Sequence, residues 1–235
     1  MNLRNKIAVV TGASSGLGSE FARHLGSQGS RVYGLARRLN RLKSLEAEIG
    51  SEFRPVECDV TDEASVRDAF SGLDRVDILI NNAGLGRFAP IDVQSQEDWT
   101  IQMDTNLTGV YLCTRAAVPL MKAQNQQTGF GGHIVNIASV AGLVGNANLS
   151  AYNATKFGLR GFSEATMKEL RGDGIKVTSI CPGSVATEFG RVAGSSGAPN
   201  PMQPEDIAST VIHVLQSPDN YLISEVVMRP LRPRG

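Results

Sequence analysis

The chain has 235 residues, with 23 lysines and arginines against 23 aspartates and glutamates, so its formal net charge is zero. That balance excludes the basic excess of a general nucleic-acid binder, and 41% hydrophobic with 20% charged residues excludes the bias of a disordered chain. Cys58, Cys113 and Cys181 are odd in number and lack CxxC spacing, which argues against a disulfide framework or a metal site and for reduced cytoplasmic thiols buried as small hydrophobes.

In chain order, short apolar runs alternate with longer amphipathic stretches. Lys6 to Thr11 (KIAVVT) reads as a buried strand, and Gly16 to Gln28 as a helix with Leu17, Phe21, Ala22 and Leu25 on one face. Arg31 to Ala36 is a second strand, and Asn40 to Ile49 a helix. Phe53 to Cys58 is strand-like, and Thr61 or Asp62 caps a helix to about Ser71. Val76 to Ile80 is a strand, Glu97 to Ala123 one long helix, and Gly132 to Ala138 a strand. Ser150 to Arg171 is a helix, Lys176 to Cys181 a strand, Pro204 to Gln216 a helix, and Tyr221 to Met228 a last strand.

Seven strands alternating with helices predict a single α/β domain over residues 1–235. Its expected form is a Rossmann-like, doubly wound parallel sheet with helices on both faces. Gly190 to Pro201 is loop-like, and the tail from Arg229 is expected to be extended. Nothing near the start resembles a signal peptide, and no apolar run reaches the ~18 residues of a membrane span.

Chemistry first appears in Thr11-Gly-Ala-Ser-Ser-Gly-Leu-Gly18, between the first strand and the first helix. Gly12, Gly16 and Gly18 allow a sharp turn and close backbone approach to a pyrophosphate, with Ser14, Ser15 and Leu17 between them. The helix start adds free N–H groups. The spacing is wider in its first gap than GxGxxG, but the strand before and helix after are those of a dinucleotide fingerprint. At the end of the second strand, Ala36-Arg37-Arg38 offers two guanidiniums and no carboxylate. A carboxylate there would suit the ribose of NAD(H), whereas arginine suits a 2′-phosphate, so NADP(H) is the expected cofactor.

Tyr152 and Lys156 are four apart on a helix, hence on one face. A phenol titrates near pH ~10, and a neighbouring ammonium is expected to lower that value and make the pair an acid/base unit. Ser139 falls at the C-terminal end of a strand, the edge where open α/β sheets bind ligands.

With these motifs in this order, the whole chain resembles the classical branch of the short-chain dehydrogenase/reductase family. The resemblance rests on the TGASSGLG turn, Asp59-Val60, Asn81-Asn-Ala-Gly84, Asn106, Ser139, Tyr152-Asn-Ala-Thr-Lys156 and Pro182-Gly-Ser-Val-Ala-Thr187. It implies Tyr152 as general acid/base, Ser139 holding the substrate oxygen, Lys156 on the nicotinamide ribose, and Asn106 in a proton relay. It also implies Asp59 and Val60 at the adenine, Asn82, Ala83 and Gly84 along the cleft, and Pro182, Gly183, Val185 and Thr187 around the carboxamide.

The implied activity is hydride transfer between NADP(H) and a small or medium carbonyl or secondary alcohol. The implied assembly is a homotetramer or homodimer through the two long helices. Ser15 departs from the basic residue many NADP-preferring members carry there. The ending Ser224-Glu-Val-Val-Met-Arg-Pro230 is closer to hydroxy-acid and small-carbonyl reductases. The alternative is a catalytically silent NADP(H)-binding regulator or scaffold, against which the joint presence of Asn106, Ser139, Tyr152 and Lys156 argues. The expected substrate wall mixes Phe88, Leu143, Val144 and Phe189 with Arg87, Asn146 and Asn148, and Glu188 to Pro201 is the expected lid.

Overall fold

The computed structural model describes residues 1–194 and 199–232. The middle of the expected lid (195–198) and the end of the tail (233–235) lie outside them. The strands are β1 (Ile7–Thr11), β2 (Arg31–Ala36), β3 (Phe53–Glu57), β4 (Ile78–Asn81), β5 (Gly132–Ile137), β6 (Ile175–Pro182) and β7 (Glu225–Met228). The helices are α1 (Gly16–Ser27), α2 (Leu39–Ile49), α3 (Glu63–Ser71), α4 (Gln96–Met103), α5 (Gly109–Thr128), α6 (Ser150–Leu170), α7 (Glu188–Ala193) and α8 (Pro204–Gln216).

The strands form one parallel sheet in the order β3-β2-β1-β4-β5-β6-β7. Every residue of β5 and β6 is buried, as a parallel sheet covered on both faces requires. Alternation along a strand divides the core. Ala8 and Val10 of β1 pack with Phe21, Leu25, Leu42, Ile207 and Val211 on the α1, α2 and α8 side. Val9 between them packs with Phe70, Leu112, Met121 and Leu170 on the α3, α5 and α6 side. Pro55 is tolerated because β3 is an edge strand. Chain order reverses between β1 and β4, which opens a crevice at their C-terminal ends.

Three elements differ from the sequence expectation. The expected helix Glu97–Ala123 is two helices joined by a π-helical turn over Asp104–Thr108, with Asn106 inside it. A π turn shifts the backbone bonds by one residue without removing an apolar position, so periodicity is blind to it. The last strand begins at Glu225 rather than Tyr221: the Ile223 and Ser224 carbonyls accept from the Thr178 hydroxyl and Ser179 N–H of β6 ahead of the paired ladder. Finally, part of the expected Gly190–Pro201 loop is helical. Thr187 caps α7 by accepting from Phe189 N, and Gly194 ends it in the left-handed region. A six-residue helix containing Gly190 has too little periodicity to read. Of the two candidate caps for α3, Asp62 is the one used, accepting from Ala64 N at 2.9 Å.

Candidate active site

The glycine turn is pinned where β1 meets β4. The Thr11 hydroxyl accepts from Asn82 N at 3.0 Å and Ala83 N at 2.9 Å, and Asn82 Nδ2 donates to Thr11 O at 2.9 Å. Gly12 has φ +67° and Gly16 φ +56°, a region that disfavours any side chain. A Cβ on Gly18 would stand 2.3 Å from Gly12 O, so the helix start can close on the turn only as glycine. Ser15 caps α1 without a side-chain bond and no acid lies in its first turn, leaving the N–H groups to an anion.

The two arginines diverge. Arg38 donates to Ser14 Oγ from Nε at 3.2 Å and Nη2 at 2.9 Å, and to Ser15 Oγ at 2.8 Å, which places its guanidinium on the turn. Arg37 lies 3.9 Å from Asp59 Oδ2. Asp59 in turn accepts from Thr61 N and Oγ1, while Val60 is buried against Gly109. Leu17 and Val185 pack partly into the core, so these two offer backbone more than side chain to a ligand.

Across the crevice, Ser139 ends β5, and Tyr152 and Lys156 lie one turn apart on α6. All three meet. The Ser139 hydroxyl lies close enough to the phenol to act on its ionisation, and Lys156 Nζ lies 5.7 Å from the centre of the Tyr152 ring. Burial pushes the phenol up to about 12, against which the neighbouring Ser139 hydroxyl works. The expected lowering by Lys156 is not met by the protein alone. The ammonium is directed at the Ile137 carbonyl, 2.8 Å away, and burial brings Lys156 itself down to about 8.

Asn106, fully buried in the π turn, closes a reciprocal pair with Leu85, accepting from its N–H and donating to its carbonyl, both at 2.8 Å. It also donates to Thr155 Oγ1 at 3.2 Å. Asn106 therefore holds the loop after β4 against α6. At Gly84 a Cβ would lie 3.2 Å from Asn106 Oδ1 and 3.8 Å from Lys156 Nζ, so this glycine keeps the floor open. On the far side, the Ser139 hydroxyl donates to Pro182 O at 3.4 Å, Gly183 N to Met228 O at 2.8 Å, and the Thr187 hydroxyl is occupied in capping α7.

The expected mixed wall is more apolar at the phenol than the sequence implied. Phe88 and Phe189 approach the Tyr152 ring at 5.4 and 5.6 Å between centroids. Arg87 turns away, 3.6 Å from Asp98 and 3.3 Å from the Val192 carbonyl. Sequence reasoning missed Asn136 and Ser163. Asn81 donates to Asn136 at 2.8 Å and Asn136 to Ser163 at 2.9 Å, a buried ladder supporting β4, β5 and α6. It also missed Arg41, which sits at i+4 from Arg37, a spacing that could have revealed it.

Comparison with known proteins identifies the family. The family model described as short chain dehydrogenase matches residues 6–196. A serine 3-dehydrogenase of Rhizobium radiobacter is 35% identical, covering 95% of this chain and 93% of its own. A farnesol dehydrogenase of Aedes aegypti is also 35% identical, covering 96% of each chain. Among solved structures, the closed form of serine dehydrogenase complexed with NADP+ superposes with a TM-score of 0.86 at 34% identity, covering 94% of each chain.

Proposed function

The chain belongs to the short-chain dehydrogenase family, and from that premise we propose that it is an NADP(H)-dependent oxidoreductase acting on a carbonyl or secondary alcohol, with Tyr152 as the acid/base. The observation that carries the reading is the meeting of Ser139, Tyr152 and Lys156 at the sheet edge that also holds the glycine turn. The cofactor fits the residues present. Gly12 and Gly16 have backbone conformations suited to a cradle, α1 offers N–H groups to a pyrophosphate, and Arg38 stands on the turn with Ser14 and Ser15 where a 2′-phosphate would arrive. When bound, NADPH supplies the hydride.

The protein's part is positional and acid/base. Ser139 donates a hydrogen bond to the carbonyl oxygen and holds it at the phenol. Tyr152 Oη passes its proton to that oxygen as the alkoxide develops, and the phenolate recovers a proton from solvent. Lys156 keeps positive charge beside the phenolate as it forms. A phenol pushed up to about 12 is protonated at neutral pH, the form that can donate to a developing alkoxide. Asn106 is a positioning residue, through Leu85 and Thr155.

Phe88 and Phe189 beside Tyr152 favour a substrate with an apolar group on one flank of its carbonyl. A homo-oligomer through α5 and α6 accords with the exposed Tyr111 and Phe157 on those helices. Reading NADPH absorbance across a panel of aryl, alkyl and carboxylate-bearing ketones tests the activity. Tight NADPH binding without turnover of any member would favour the silent-binder alternative. Light scattering tests the assembly, and a monomer mass would refute it.

A further inference from the structure

The arginine rim of the phosphate-binding turn already faces an anion of the protein's own. Glu188, the first residue of α7, places Oε2 3.2 Å from Arg41 Nη1 of α2. The partners are 147 positions apart in sequence, and the pair bridges from the β6 side of the crevice to the β2 side. Arg41 lies one helical turn beyond Arg37 and Arg38. Arg38 in turn sits on Ser14 and Ser15. The two sides of the crevice come close here: a Cβ on Gly16 would lie 3.5 Å from the side chain of Thr187, the neighbour of Glu188.

We propose that Glu188 is a built-in competitor of the cofactor's 2′-phosphate for the arginine rim, and so a residue that sets how strongly the chain prefers NADP(H) over NAD(H). The inference rests on the NADP(H) reading above. Carboxylate and phosphate present guanidinium with the same kind of oxygen acceptors. A 2′-phosphate reaching the rim must either displace Glu188 from Arg41 or share the guanidinium with it, and both weaken its binding. NAD(H) carries no such group and leaves the ion pair as it is. A ligand shifts this balance only through its differential interaction with the rim, which here is confined to the phosphate. The pair is partly exposed, with side chains 43% and 52% accessible, so its effect is modest and screened by salt.

Fluorescence titration of NADPH and NADH into wild type, Glu188→Gln, Arg41→Gln and the double variant tests this without turnover. Glu188→Gln should tighten NADPH about two- to fivefold and leave NADH unchanged, with the gain shrinking at high salt. Arg41→Gln should weaken NADPH more in the Glu188→Gln background than in wild type, because there Arg41 is free of its internal partner. Equal tightening of both cofactors would overturn the proposal, since Glu188 would then act on the part they share. So would no change, or weaker NADPH binding. Wild type that prefers NADH in the same titration would overturn the cofactor reading itself.

Discussion

At the N-terminal edge of the sheet, the Asp77 carboxylate is fully used. It accepts from Lys6 Nζ at 3.1 Å, Ile7 N at 2.8 Å, Arg75 Nε at 2.8 Å and Gln124 Nε2 at 3.0 Å, with 1% of its side chain exposed. At the C-terminal edge, Tyr152 and Lys156 are also buried but less engaged. Among the described residues, Lys156 Nζ, with three donors, has one protein acceptor, the Ile137 carbonyl. Both edges bury polar groups on the same sheet. The difference is saturation. A saturated network locks a geometry, whereas an unsaturated one retains donors for a ligand. Concavity does not separate the edges, since a cavity of about 390 Å³ lined by Lys6, Arg75, Asp77 and Gln124 opens at the saturated one.

If that contrast holds, damage at one edge should be catalytic and at the other thermodynamic. The largest expected effect is Tyr152→Phe, which removes the proposed acid and should lower kcat by about 10²–10⁴-fold with NADPH binding and thermal midpoint nearly intact. Near-normal turnover in that variant would place the acid elsewhere. Next comes Asp77→Ala. The Ile7 N–H and Gln124 lose a buried acceptor while Lys6 and Arg75 can reach water, so denaturant unfolding should show a loss of about 2–4 kcal/mol. Activity per folded molecule should persist. A large fall in kcat at unchanged stability would erase the distinction between the edges.

Arg38→Ala tests the cofactor rim. Removing charge-assisted bonds to a phosphate should weaken NADPH by about tenfold or more while NADH changes little, as read by fluorescence titration. Equal losses for both would assign Arg38 to the turn alone.

A last test sharpens the structural side. Thr178 gives its one hydroxyl proton to Ile223 O at 2.6 Å, so it accepts from His133 Nε2 at 2.8 Å, and the buried Nδ1 is left as a bare acceptor. Burial, then the nearby Lys176 charge, lowers His133 from 6.5 to about 3. Between those values the unfolded chain holds the extra proton. Stability from this group is therefore present above pH 6.5 and lost as the pH falls toward 3, at about 1.4 kcal/mol per unit. Thermal melts between pH 6.5 and 5 should fall more steeply in wild type than in His133→Gln, and parallel curves would refute the assignment.

The strands, the turn and the Tyr152–Lys156 pair were legible because each is a local pattern. An apolar run such as Val76 to Ile80 declares burial on both faces, three glycines before a helix declare a phosphate cradle, and a four-residue spacing declares one helical face. The π turn was not legible, since moving a hydrogen bond by one residue leaves composition and period unchanged. Nor were the Asn81–Asn136–Ser163 ladder, the Asp77 network or the Glu188–Arg41 pair, each of which joins segments far apart in the chain.

The sequence by itself determined the parallel α/β class and the places of the glycine turn and of the Tyr152–Lys156 pair, because steric and periodic rules act over a few neighbouring positions. Only the tertiary structure decided that Lys156 is turned to Ile137, that Phe88 and Phe189 stand beside the phenol, and that Glu188 lies on Arg41. Those outcomes depend on burial and on charges brought together from distant segments, and neither is set until the sheet has assembled.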